Sequence, residues 1–156
     1  MTEDELKKAI SHLRDREYMS GIERDKSRIK ASGEIFTPTP LVQEILDHLP
    51  EESFTDPSKT FLDPSCGDGQ FLSEALIRKL EQGHDFEQAL STIYGVDLME
   101  DNVNLCRERL LCGRADLRHI VERNIVCHDA LTYSYKFDGD NSFRPSVFQT
   151  LFETEE

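Results

Sequence analysis

Apolar residues in this chain recur either at helical spacing or in short continuous runs, and the two patterns alternate. Apolar positions three or four residues apart predict an amphipathic helix over residues 3–18. A second apolar stripe, over residues 41–49, predicts a helix that Thr39 caps and that has Pro40 at its first position. The chain is polar from residue 51 to residue 59, where we expect a loop.

Three short apolar runs predict buried strands. They cover residues 60–63, 92–98 and 124–128. Helical patterns lie between them, and crossovers of this length allow the strands to pair in parallel. The sequence therefore predicts an α/β domain with a parallel sheet.

A tight turn with two glycines follows the first predicted strand. Pro64 cannot continue a central sheet ladder because it has no backbone N–H. Gly67 and Gly69 permit backbone angles and a close ligand approach that a Cβ atom would prevent. In open α/β sheets, ligands bind where such a turn leads from a strand into a helix. A plain strand-to-helix turn fits the same residues, since the third glycine of a dinucleotide fingerprint is absent.

An aspartate stands at the end of each predicted strand. These residues are Asp63, Asp97 and Asp129. Parallel pairing brings all three to one edge of the sheet. Three carboxylates in one crevice suit a ligand rich in hydroxyl, amine or ammonium donors. The alternative role for each aspartate is to cap the N-terminus of a helix.

Composition limits the classes of function. A chain of 156 residues fits one domain. The net charge is −13, and all of the excess negative charge lies after residue 30. An acidic body repels a phosphate backbone, so we expect the chain alone to bind DNA only weakly.

The cysteines and the chain start indicate the compartment. The four cysteines form no C-x-x-C pair, and we expect small buried thiols in a reducing compartment rather than a metal site. No apolar stretch approaches the ~20 residues of a membrane span. The acidic N-terminus does not resemble a signal peptide. We therefore expect a cytoplasmic protein.

Four segments together resemble one enzyme family. In order they are Phe36-Thr37-Pro38, then Asp63-Pro64-Ser65-Cys66-Gly67-Asp68-Gly69-Gln70-Phe71-Leu72, then Gly95-Val96-Asp97, then Asn124-Ile125 with Asp129-Ala130-Leu131. They resemble the adenine-N6 DNA methyltransferases of the gamma motif order, which include type I modification subunits and phage methylases. The resemblance covers about residues 28–132.

The resemblance implies a fold and a cofactor. The fold is a Rossmann-like methyltransferase domain, truncated to a three- to four-stranded, mostly parallel sheet with flanking helices and an N-terminal helix. The implied cofactor is S-adenosylmethionine, bound by residues 31–135. An N-terminal helix and polar arm would occupy residues 1–30, and residues 136–156 would add a C-terminal segment with room for one more strand.

The resemblance also implies residue roles at the methionine end of the cofactor. Phe36 and Thr37 would border the methionine moiety, with Thr37 bonded to its carboxylate. The residues that hold the amino group and surround the sulfonium would be Asp63, Pro64, Ser65, Cys66, Gly67 and Gly69.

Further implied roles lie at the adenosine end. Asp97 would accept hydrogen bonds from the ribose hydroxyls, and Leu98 would pack on the adenine. Asp129 would accept a hydrogen bond from the adenine amine. Ala130 and Leu131 would lie beside the ring.

One family motif is absent from the 156 residues. These enzymes carry a catalytic Asn/Asp/Ser-Pro-Pro-aromatic tetrapeptide that holds the flipped base. This sequence has no adjacent prolines and offers no matching catalytic residue. The interpretation is therefore a cofactor-binding domain that needs a partner chain or a further segment for methyl transfer.

Two alternatives remain at this point. One is an inactive, phage-like protein that binds the cofactor or inhibits methylation. The other is a different S-adenosylmethionine-using enzyme, for which His128 is the nearby candidate base, although its strand position favours a structural role.

The strand order also leaves an open edge. The strand that contains Leu62 would lack a neighbour on one side, and unpaired apolar edges promote association. We expect residues 146–152, a second copy or a partner subunit to cover it.

Overall fold

Residues 1–15 and 37–139 are described by the structure, a computed structural model. The predictions for Phe36, for the polar arm and for residues 146–152 lie outside these ranges. In chain order the elements are α1 (Glu3–Arg14), α2 (Thr39–Asp47), α3 (Glu52–Thr55), β1 (Phe61–Asp63), α4 (Gln70–Glu81), α5 (Phe86–Ser91), β2 (Ile93–Asp97), α6 (Glu100–Leu111), a 3₁₀ turn (Ala115–Leu117), α7 (Arg118–Asn124) and β3 (Ile125–Cys127).

The three strands form one parallel sheet in the order β1-β2-β3. Asp63 pairs with Gly95, and Asp97 pairs with Cys127, so β2 and β3 end at the same level and β1 ends two residues earlier. Helices occupy both connections between strands, as parallel pairing requires. The predicted α/β class and the Rossmann-like arrangement are confirmed.

The hydrophobic core lies between one face of this sheet and the helices. Ile93 and Ile125 contribute from the strands, and both are fully buried. Leu13 of α1 is equally buried in this core, so the N-terminal helix packs onto the sheet domain. Burial of each such side chain stabilises the fold by roughly 1.5–3 kcal/mol.

A buried lysine contacts the amino-terminal end of the sheet, opposite the edge where the strands end. Lys79 of α4 is fully buried, and its ammonium donates to the carbonyl of Lys59 and to Thr92 Oγ1, at 2.8 Å for the latter. These two residues precede β1 and β2. Lys79 therefore holds α4 against the amino ends of both strands, away from the edge where the aspartates lie.

Several element ends differ from the predictions. Thr39 is the first residue of α2 rather than its cap, because the extended Pro38 supplies the carbonyl that accepts from the N–H groups of Leu41 and Val42. The predicted loop over residues 51–59 contains α3, which buries Phe54.

The first helix and the third strand are shorter than predicted. Helix α1 ends at Arg14, where Asp15 is extended. Strand β3 starts at Ile125, because Asn124 closes α7 and donates from its side chain to the carbonyl of Ser91 at 3.1 Å. No helix of the described residues is long and apolar enough to cross a bilayer.

Candidate functional site

A cavity of about 550 Å³ opens at the carboxyl edge of the sheet. Every predicted site residue within the described chain lines this cavity except Gly69, which is buried directly beneath it at the start of α4. Thr37 and Leu131, which are more than 90 positions apart in the sequence, thus line the same cavity. Phe36 lies outside the described residues.

The three aspartates share one local geometry. Each accepts a hydrogen bond from the backbone N–H two residues further on: Asp63 from Ser65 at 3.0 Å, Asp97 from Met99 at 3.0 Å, and Asp129 from Leu131 at 2.9 Å. The N-caps of α4 and α6 are Gly69 and Met99, so neither Asp63 nor Asp97 is a helix cap. The carboxylates instead close short turns, and the backbone that follows each turn lines the cavity.

The glycine turn is bonded directly to β2. The Cys66 N–H donates to the carbonyl of Val96 at 3.0 Å, and the Gly67 N–H donates to Asp97 Oδ1 at 3.2 Å. Gly67 and Gly69 have φ angles of +55° and +99°, which L side chains rarely adopt. The predicted need for unusual backbone angles is therefore confirmed at both positions.

Gly95 is needed for a different reason. A Cβ atom on this β2 residue would lie 2.7 Å from Leu72 Cδ1 and 2.9 Å from Cys66 Sγ. The glycine therefore lets α4 and the turn approach the strand closely. The sequence alone did not reveal this role of Gly95, because the contact depends on Cys66 and Leu72, which lie about 25 positions earlier.

Two of the carboxylates influence each other. Burial raises the pKa of Asp63, and the negative charge of Asp97 raises it further, while the hydrogen bond from Ser65 opposes both. Neighbouring carboxylates of this kind favour a positively charged ligand group between them.

The family described as N-6 DNA Methylase matches residues 22–144. The chain belongs to this family. Among curated proteins, the Type II methyltransferase M.VspI of Vibrio sp. (strain 343) is 33% identical over 108 residues, which cover 68% of this chain and 22% of that protein. No solved structure matches the chain significantly.

This N-6 DNA methylase domain spans only 22% of the length of that relative. The matched region contains the whole cavity wall from Thr37 to Leu131. Family membership and the cavity therefore concern the same part of the chain.

Five residues of the methylase domain line the cavity without a predicted role. They are Asp68, Gln70, Phe71, Met99 and Asn102. Asn102 is fully buried in the first part of α6 and donates to Asp97 Oδ2 at 3.3 Å. Near the start of a helix an asparagine is typical of a solvated surface, so nothing in the sequence indicated this contact.

His128 belongs to an aromatic cluster beside the cavity. Its ring lies 5.1 Å from that of Tyr133, which in turn contacts Tyr135 and Phe137. Phe137 packs on Tyr94 of β2 at 4.8 Å between ring centroids. The cluster anchors the chain that follows Asp129, and this placement supports a structural role for His128.

The thiols near the site are free and partly or fully buried. A hydrogen bond with Cys106, together with burial, raises the pKa of Cys66 well above its ordinary value. Cys66 is therefore a neutral thiol beneath the turn, as expected for a small buried side chain.

Proposed function

We propose that this domain binds S-adenosylmethionine and is the cofactor-binding part of an adenine-specific DNA methyltransferase. One observation carries the proposal: three strand-end aspartates and a glycine turn converge on one cavity in a member of the N-6 DNA methylase family. A cofactor with an ammonium group, two ribose hydroxyls and an exocyclic amine offers donors suited to those carboxylates.

The methionine end of the cofactor is assigned to the β1 side of the cavity. Asp63 accepts hydrogen bonds from the amino group, and its proximity to Asp97 favours a cationic ligand there. Thr37 bonds the carboxylate, with Phe36 beside it. The backbone of residues 65–69, with Pro64, surrounds the sulfonium.

The adenosine end is assigned to β2 and β3. Asp97 accepts from the ribose hydroxyls, and Leu98 packs on the adenine. Asp129 accepts from the adenine amine, with Ala130 and Leu131 beside the ring. Leu131 is 94% exposed and gains an apolar partner in this arrangement.

Methyl transfer in this proposal needs a partner chain or a further segment. The 156 residues contain no adjacent prolines and so no tetrapeptide for the flipped base. The partner contributes that tetrapeptide and most DNA contacts. A second candidate, an inactive binding or inhibitory protein, is favoured by the same missing motif and by the net charge of −13.

Calorimetric titration with S-adenosylmethionine tests the proposal. We expect one site on the wild type and a loss of about tenfold or more in affinity for Asp97→Asn, because a charged acceptor of ribose hydroxyls becomes neutral. Asp101→Asn is the matched control, since it removes a nearby charge from an exposed residue that does not line the cavity.

The readouts separate folding from binding. The asparagine oxygen can keep the two bonds that Asp97 Oδ2 accepts, from Met99 and Asn102, while the bond from the Gly67 N–H is lost. Circular dichroism and thermal melting of the variant therefore show whether it keeps the wild-type fold. A folded wild type that shows neither heat of binding nor a shift in melting temperature would contradict the proposal.

A further inference from the structure

Gln70 occupies the junction between the glycine turn, α4 and the cavity. It is the first residue of α4 and is only 7% exposed. Its side-chain Nε2 donates to the carbonyl of Thr37 at 2.6 Å, and its Oε1 accepts from Arg109 Nη2 at 2.9 Å. One amide thus joins a cavity-wall residue to helix α6.

Arg109 orients that amide. Its Nε donates to the carbonyl of Leu13 at 2.6 Å, in the last turn of α1, where backbone carbonyls carry partial negative charge. Its Nη1 lies 3.9 Å from Asp68 Oδ1. Burial lowers the pKa of Arg109 to about 9, so the guanidinium stays charged at neutral pH.

The bonds form one buried path from α1 through α6 and α4 to Thr37. The Arg109 contact fixes the amide orientation, because only the oxygen of Gln70 can accept from a guanidinium. Its nitrogen must then face the Thr37 carbonyl. Thr37 lies outside the helices and strands, so no regular ladder sets its position.

We propose that Gln70, oriented by Arg109, is a positioning residue that holds Thr37 for the methionine carboxylate and so favours ligands that carry the methionine moiety. The inference rests on the proposed function. In this inference Gln70 does not contact the ligand. It affects ligand selectivity by holding Thr37, which does.

A comparison of two ligands tests this inference. S-adenosylmethionine carries the methionine chain on a sulfonium, whereas 5′-methylthioadenosine has the same adenosine with a neutral methyl thioether and no methionine chain. We titrate both into the wild type and into Gln70→Asn, whose amide is one methylene too short to reach both partners. We expect S-adenosylmethionine affinity to fall about tenfold while 5′-methylthioadenosine affinity changes less than about threefold.

The matched control is Gln43→Asn. Gln43 is a half-buried glutamine of α2 whose amide donates to Glu74 Oε1 at 3.4 Å, and it does not line the cavity. We expect this variant to bind both ligands as the wild type does.

The outcomes distinguish the inference from the proposed function. If Gln70→Asn loses affinity for both ligands equally, or for neither, Gln70 has only a structural role and the inference is wrong. If the wild type binds neither ligand, the proposed function fails and the inference with it. Gln70→Met, similar in length but without the amide, gives the same comparison if the asparagine variant does not fold.

Discussion

Asp63 has both a local structural role and a proposed ligand contact. Its carboxylate accepts from the Ser65 N–H, which shapes the turn, and burial beside Asp97 raises its pKa. The charged form therefore costs stability in the folded protein, and a cationic ligand would offset that cost. An asparagine keeps an oxygen for Ser65 and removes only the charge.

We expect Asp63→Asn to be more stable than the wild type without ligand and to bind S-adenosylmethionine about tenfold more weakly. The gain in the free energy of unfolding should be below about 1 kcal/mol, because solvent near the cavity mouth screens the charge. Thermal melting and calorimetric titration measure the two effects. Lower stability together with unchanged affinity would contradict this assignment.

Asp56→Asn is the control for this variant. The tripeptide Asp56-Pro57-Ser58 repeats Asp63-Pro64-Ser65, and Asp56 Oδ1 also accepts from the N–H two residues on, at 2.9 Å. Hydrogen bonds from the side chain and backbone of Ser58 lower the pKa of this exposed carboxylate. Its loss should therefore bring no stabilisation and no change in affinity.

The same pKa shifts set the direction of the pH dependence. Because the pKa of Asp63 is raised on folding, its contribution to stability increases as pH falls through that raised value towards 3.8. Cofactor affinity should weaken over the same interval, as protonation removes the charge. Asp56, with its lowered pKa, contributes stability above 3.8 that is lost at lower pH.

At the residue scale, the position of the aspartates at the cavity could be predicted, and the residues that support the cavity wall could not. Asp63 and Asp97 end strands that periodicity alone places, and parallel pairing then brings them together. Gln70 and Arg109 were missed because their hydrogen-bond partners lie 33, 39 and 96 residues away. No local pattern encodes such contacts.

At the scale of elements, β1 is one of the two edge strands that the sheet has in the described part of the chain. Within residues 1–15 and 37–139 it pairs with β2 and with no other strand. Leu62 at its centre is 44% exposed, on a strand whose other residues are half-buried. An apolar edge with unpaired backbone groups is a surface for strand addition.

We expect this edge to mediate association with a second copy of the chain, and Leu62→Lys to abolish it, since edge lysines block strand pairing. Sedimentation velocity over a range of concentrations measures the association. Leu105→Lys is the matched control, because Leu105 is 43% exposed on α6. A wild type that stays monomeric, or equal effects of both variants, would refute the expectation. Residues 146–152 or a partner subunit would then be the occupants to seek.

Most of the elements followed from periodicity, but helix α3 and several element ends did not. The 3.6-residue pattern located α4 and α6, and apolar runs located all three strands. The predicted cap of α2 was wrong, because the carbonyl of Pro38, not the side chain of Thr39, accepts hydrogen bonds from the first N–H groups. Helix α3 was missed because it has four residues and only one of them, Phe54, is buried, which gives no helical periodicity.

At the scale of the whole molecule, the excess of negative charge governs encounters with DNA. The chain carries −13 with a pI near 4.8. Lys and Arg contacts to phosphates supply most non-specific DNA affinity. In the proposed function, a domain of this charge therefore needs another surface to approach DNA.

We expect the pure chain to bind duplex DNA more weakly than about 10⁻⁴ M and to transfer no methyl group to it, with or without added cofactor. Fluorescence anisotropy of a labelled duplex at low salt measures the binding, and transfer of a labelled methyl group measures the activity. Addition of a partner subunit that carries the missing tetrapeptide should restore transfer. Methylation of DNA by the chain alone would disprove the proposal that a partner supplies the catalytic tetrapeptide.

The sequence by itself determined the parallel α/β order, the family motifs, the acidic charge and the strand-end aspartates. Each of these depends on neighbouring residues or on composition, which a linear pattern carries. Only the tertiary structure showed that Gly95 allows the glycine turn to pack closely on β2. It also showed that Asn102 donates to Asp97 and that the amide of Gln70 links Thr37 to Arg109. Those features arise when distant side chains are packed at close range, where a single atom or hydrogen bond changes the geometry of the site.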